Sequence, residues 1–112
     1  LVLLDGQRLL LQQRPPSGIW GGLLSLPELP DGVDPAHWCR TTLGLEPKAF
    51  DELPALRHTF SHFRLLLKPL RAQVSALPMV MESGLRWLAA HELEGAPLPT
   101  PIQHIVPGAF GD

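Results

Sequence analysis

Proline occupies thirteen of the 112 positions, about twice ordinary usage, and this frequency limits what the chain can build. Each ring fixes φ, removes a backbone N–H and restricts the residue before it. Short elements joined by stiff, irregular connections are therefore expected. Disorder is not, because hydrophobic residues make up 45% of the chain. The length suits one domain over residues 1–112 with a core of its own.

The clearest local signal is a hairpin. Leu1 to Leu4 and Arg8 to Arg14 flank Asp5-Gly6-Gln7, and Asp-Gly between apolar runs favours the tight turn of a β-hairpin. Leu9 and Leu11 alternate with Leu10 and Gln12, so one face is expected to be core and the other partly covered. Arg14-Pro15-Pro16-Ser17-Gly18 then breaks regular structure. In Ile19-Trp20-Gly21-Gly22, the paired glycines suggest backbone held close against a neighbour. Trp20 reads as a packing residue.

Asp34-Pro35 has the form of a helix start, with Asp as cap and Pro in the first turn. Ala36 to Leu43 is expected to be helical, stopped by Gly44. Phe50 to Leu56 reads as a connection, and Phe63 to Leu70 as a strand with Pro69 at an end or edge. On that strand Phe63, Leu65 and Leu67 share one face, while Arg64, Leu66 and Lys68 share the other. A further apolar run extends from Met79-Val80-Met81 to Trp87-Leu88, interrupted by Ser83-Gly84, and Ala89 to Glu94 is expected to form a turn of helix ended by Gly95. Thr100-Pro101 repeats the cap-and-proline signature ahead of the stripe Ile102, Ile105 and Val106, which Pro107-Gly108 closes.

Polar chemistry concentrates between residues 57 and 71. Arg57, His58, Thr59, Phe60, Ser61, His62, Arg64, Lys68 and Arg71 fall there, and no acidic residue occurs from Leu53 to Met81, although the net charge is −2. A hydroxyl, an aromatic ring, imidazoles and arginines together can address a base edge, stack on it and hold a phosphate. The same residues also suit a hairpin corner whose serine caps a turn and whose histidines are solvated.

Several classes fall away. Cys39 is the single cysteine, so there is no intrachain disulfide and no iron–sulfur cluster held by this chain alone. With His37 it lacks a second pair of ligands for zinc. No apolar run reaches membrane-spanning length, and no secretory leader opens the chain, so an intracellular, cytoplasmic setting is expected. The start on Leu1-Val2-Leu3-Leu4 rather than Met suggests a domain excised from a longer protein. A net charge of −2 is poor for general electrostatic binding of nucleic acid, so any such role belongs to the local basic stretch.

Two segments carry a family resemblance. Gln13-Arg14-Pro15-Pro16-Ser17-Gly18-Ile19-Trp20-Gly21-Gly22-Leu23 and Arg57-His58-Thr59-Phe60-Ser61-His62-Phe63 resemble the C-terminal domain of bacterial A/G-specific adenine DNA glycosylases, the MutY family. Leu98-Pro99-Thr100-Pro101-Ile102 fits it as well, so the likeness spans nearly the whole chain. It implies an α+β Nudix-like fold, a mixed sheet flanked by helices. In active Nudix hydrolases a glycine and a glutamate precede a helix bearing an arginine and three glutamates that hold Mg²⁺. Gly22 and Glu28 match the opening, and Gly44 matches the close. In between, His37, Trp38, Thr41 and Thr42 stand where the arginine and glutamates belong. A hard cation needs oxygen donors, preferably carboxylates, so no metal site and no pyrophosphohydrolase activity are expected.

The resemblance further implies base excision repair. Phe60, Ser61 and His62 would recognise 8-oxoguanine opposite adenine in double-stranded DNA, with His58 and Thr59 supporting the loop. Arg57, Arg64 and Lys68 are candidates for phosphate contacts. Adenine excision would belong to an N-terminal catalytic domain carrying the iron–sulfur cluster. This chain would be noncatalytic and without a cofactor, a monomer whose partners are that domain and the damaged duplex. Two other readings compete: a nucleotide pyrophosphohydrolase with a degenerate box, and a protein-interaction module on a disabled Nudix scaffold.

Overall fold

A computed structural model describes residues 1–18, 20–59, 64–77 and 84–110. Strands β1 (Val2–Asp5) and β2 (Arg8–Gln13) form the hairpin that Asp5-Gly6 predicts, with Leu4 opposite Leu9. Gly6 takes φ +61 in the turn, a conformation open to glycine at no steric cost. The next strands are short: β3 (Leu24–Ser25), β4 (Leu45–Pro47) and β5 (Asp51–Glu52). Then come β6 (Leu56–Thr59), β7 (Arg64–Leu67), β8 (Leu70–Ala76) and β9 (Leu85–Ala89). The main sheet runs β3-β2-β1-β8-β4, with β5 also on β8 and β9 on β2. Because β1 pairs with β8 in parallel while the other pairings are antiparallel, the sheet is mixed.

Alternation along β1 and β2 divides the core between the two faces of this sheet. Val2, Leu4, Leu9 and Leu11 pack with Ile102, Ile105 and Ala109 of helix α3 (Thr100–Ala109). Leu3 and Leu10 pack on the opposite face with Cys39, Leu43, Leu45, Ala72 and Val74. The second face is therefore fully covered, rather than partly covered as the alternation suggests: Leu10 is 0% exposed. Its cover is helix α1 (Pro35–Trp38), which continues into a π-helical turn at Cys39–Leu43. The result is a mixed sheet flanked by helices, an α+β architecture.

The helix start is as expected. The Asp34 carboxylate accepts a hydrogen bond from His37 N at 2.9 Å, and Gly44 closes the segment at φ 68. Widening of the final turn accompanies a bond from the Thr41 hydroxyl to the His37 carbonyl at 2.9 Å; hydroxyl bonding back to the fourth residue before it often distorts a helix. Arg40 Nε donates to Glu46 Oε2 at 2.6 Å, tying this segment to β4 and holding the Glu46 carboxyl below the usual carboxylate range. Helix α2 (Ala90–Leu93) matches the short helical turn before Gly95, and the Glu92 side chain accepts from Ala89 N at 2.9 Å.

Four expectations need correction. Phe50 to Leu56 is not only a connection, since β5 forms within it and pairs with β8. The single strand expected over Phe63 to Leu70 is in fact, from Arg64 on, the whole of β7, a break at Lys68-Pro69, and the first residue of β8. A proline cannot continue the β7 ladder, and Pro69 is buried at that crossing. Thr100 is the first helical residue, not the cap: Gln103 N bonds to Pro99 O at 3.0 Å, so the turn opens one residue earlier. Nor does Pro107 stop α3. Its missing N–H leaves the Gln103 carbonyl without its helical partner, but buried Ala109 and a bond from Arg71 Nη1 to Gly108 O at 2.9 Å anchor the last turn.

Candidate nucleic-acid interface

Strands β6 and β7 form a two-stranded sheet separate from the main one. Their register is Leu56 opposite Leu67, Arg57 opposite Leu66, His58 opposite Leu65 and Thr59 opposite Arg64. Period-two alternation gives this hairpin two unlike faces. Leu56, His58, Leu65 and Leu67 are half-buried, while Arg57, Thr59, Arg64 and Leu66 are exposed. The strand reading of apolar residues on one side and cations on the other holds for Arg64 to Leu67.

The base of the hairpin is held from two sides. Leu56 and Leu67 pack against the core cluster beneath α3, and Leu53 N donates to Pro69 O at 3.0 Å where β7 gives way to β8. Farther out, the His58 imidazole lies 6.5 Å from the Trp20 ring, tilted by 57°. Trp20 itself is half-buried against the core, as its packing role requires. Between the inner face of the hairpin and the stretch after β3 runs a cleft of about 730 Å³, lined among others by Arg14, Trp20, Glu28, Leu65 and Ile102.

The cations are not equivalent. Arg71 is not unopposed, as the acid-free run around it suggests. Its guanidinium meets Asp51 of β5, with Nη2 to Oδ2 at 2.7 Å and Nε to Oδ1 at 3.3 Å. Asp51 lies just before the acid-free stretch and is brought back by strand pairing. Among the described residues, the ion pairs are Arg8–Asp5, Arg14–Glu28, Arg40–Glu46 and Arg71–Asp51. Arg57, Arg64 and Lys68 enter none of these and are exposed. The outward face therefore offers positive charge to a partner. Phe60, Ser61, His62 and Phe63 lie outside the described residues, as do Met79 to Met81; Thr59 and Arg64 form the pair that flanks the first of these segments.

The residues of the degenerate Nudix box do not fit a hard divalent cation. Glu28 is engaged by Arg14, half-buried Trp38 packs against the core, and the Thr41 hydroxyl is committed to the His37 carbonyl. A tryptophan ring and hydroxyls cannot replace carboxylates around Mg²⁺. Among the described residues no group of three or more His, Cys, Asp or Glu gathers in a metal-binding arrangement.

Residues 1–107 match the family model for the NUDIX domain. The chain belongs to that family. Among solved structures, the C-terminal domain of mouse MUTYH, crystallised in complex with human PCNA, shares the fold at TM-score 0.71 and 21% identity. That match covers 95% of this chain and 81% of the other. A Nudix hydrolase from M. smegmatis, RenU, gives TM-score 0.57 at 17% identity, covering 97% and 84%. The E. coli ORF135 protein gives 0.59 at 16% identity, covering 99% and 90%. The NUDIX architecture is thus common to chains that differ at most positions. Among the described residues, no helix is long and apolar enough to cross a membrane.

Proposed function

We infer that this NUDIX domain recognises 8-oxoguanine opposite adenine, for an adenine DNA glycosylase whose catalytic domain lies outside this chain. The observation that carries the reading is the β6–β7 hairpin. It stands apart from the main sheet and turns Arg57 and Arg64 outward on either side of Phe60-Ser61-His62. The shared fold with the MUTYH C-terminal domain supports it, and so does a Nudix box whose donor set does not suit Mg²⁺.

The chemistry of the lesion explains why a serine is used. Guanine presents N7 as an acceptor, whereas the oxidised base carries N7–H as a donor and adds O8 as an acceptor. A hydroxyl both donates and accepts, so Ser61 can match the oxidised edge. Phe60 packs beside the base, His62 adds a polar contact, and His58 and Thr59 support the loop from β6. Arg57, Arg64 and Lys68 contact phosphates, which sets the domain's position without reading sequence. A matched contact in place of a mismatched one is worth roughly 1–3 kcal/mol, so the catalytic domain shares the discrimination.

The test is Ser61→Ala in the intact glycosylase. The preference for 8-oxoguanine over guanine opposite adenine should fall by about tenfold, from the loss of one such contact. An unchanged preference would contradict the reading.

A second reading is favoured by Leu66, a large hydrophobic residue 48% exposed amid the outward cations, and by a structural relative crystallised with PCNA. The same hairpin face would then take an acidic protein partner. Wild-type retention of such a partner by Arg64→Ala would speak against that use of the face.

A further inference from the structure

Among the described residues, Trp20 is the one non-glycine with positive φ, at 55°. The left-handed region crowds a β-carbon and is uncommon for bulky residues, so something must hold Trp20 there. The turn around it is closed by backbone bonds from Arg14 N to Leu23 O at 2.8 Å, Gly22 N to Pro15 O at 3.0 Å, and Leu23 N to Trp20 O at 3.1 Å. At Gly21 a β-carbon would lie 2.5 Å from the Pro16 carbonyl oxygen, so the turn closes this tightly only because the residue after Trp20 has no side chain. Backbone strain of this kind persists only where the surroundings hold it, and it clusters at functional positions.

The ring reaches the β6–β7 hairpin. Among the described residues the hairpin has no ladder hydrogen bonds to the main sheet, so beyond the Leu53–Pro69 backbone bond at its base side-chain packing helps to set its position. Leu56 and Leu67 fix its base. Two pairs farther along, on the same face, stands His58–Leu65. Trp20 meets His58 there, within the normal range for aromatic pairs, and lines the same cleft as Leu65. Only the pair Thr59–Arg64 separates that contact from residues 60–63.

We propose that Trp20 is a positioning residue for lesion recognition, setting the outer end of the hairpin through its contact with His58. The proposal rests on the recognition reading above and gives the glycine-rich turn a part in it. Trp20 touches no DNA in this scheme; it acts through His58.

The test uses this 112-residue domain, whose core closes within its own elements. Binding is measured against duplexes carrying 8-oxoguanine or guanine opposite adenine, alongside NMR spectra of the free protein. Trp20→Gly removes the ring while suiting the backbone conformation, Trp20→Phe retains an aromatic contact, and His58→Leu breaks the contact from the hairpin side. The expected result is a preference ratio about tenfold lower in Trp20→Gly and His58→Leu, largely restored in Trp20→Phe. In Trp20→Gly the His58 imidazole and β6–β7 amide resonances should move while those of β1 and β8 stay in place. If Trp20→Gly fails to fold, a wild-type ratio in His58→Leu overturns the proposal by itself. A wild-type ratio in a folded Trp20→Gly, with His58 resonances unmoved, overturns it and leaves the recognition reading standing. Equal affinity of the wild-type domain for both duplexes instead removes the recognition reading, and this proposal with it.

Discussion

Single residues fix much of this domain, and Gly21 shows how. Its missing side chain is what lets the turn close against the Pro16 carbonyl. Gly21→Ala should therefore destabilise the domain by about 1–3 kcal/mol, the usual cost of overpacking, measured as a lowered denaturation midpoint with an unchanged denaturant slope. Paired glycines are legible as a sign of close backbone approach, but the neighbour they approach is not. Cys39 makes a different prediction. Burial pushes its thiol up to about 11 from an ordinary 9.0, against the pull of Arg40. The unfolded chain then releases this proton at a lower pH than the folded one. Stability should fall as pH rises between those values and hold steady, for this group, below them. Denaturation midpoints across that window test it, with Cys39→Ala lacking this component of the fall. Nothing in the local sequence marks Cys39 as buried to this degree, because its cover comes from β1, β2 and β8 on the sheet face beneath it.

Elements were legible where turn and cap chemistry is local. Asp5-Gly6 gives the first hairpin, and Asp34-Pro35 with Gly44 brackets the helical segment. Asp34→Ala should lose about 1 kcal/mol of stability, a drop of roughly 4–8 °C in Tm for a small domain, read by thermal unfolding. The π-helical turn within that segment is not legible, since a hydroxyl four residues after His37 bonds back to its carbonyl in only some helices. Strand β8 illustrates the other limit. Ala72 and Val74 alternate with Gln73 and Ser75, the pattern of a half-buried strand, yet the stronger apolar run before Pro69 absorbs the assignment. Its central place, parallel to β1, is set by pairing over nearly seventy residues of sequence, which no short window contains. Arg71 follows the same logic: its partner Asp51 is close in space through β5 and β8, not through sequence.

At the scale of the molecule, two cores cover opposite faces of one mixed sheet, and among the described residues the β6–β7 hairpin forms a separate sheet packed against one of them. Family and fold follow from motifs spread over nearly the whole chain, and the NUDIX match to residues 1–107 agrees with them. The donor set at the Nudix box does not suit Mg²⁺: Trp38, Thr41 and Thr42 stand where the resemblance places carboxylates, and Arg14 engages Glu28. What a single sequence conveys least is the division of labour within the hairpin, because inward and outward faces differ only by one-residue alternation until the register is known. That register turns Arg57 and Arg64 outward and His58 inward. The most direct measurement of the central claim is an NMR titration of the domain with duplex DNA containing 8-oxoguanine opposite adenine, set against the same duplex with guanine. The account predicts that resonances of residues 57 to 67 shift first and most with the oxidised duplex, and less with its normal counterpart. Shifts confined to other surfaces, or identical for both duplexes, would contradict it.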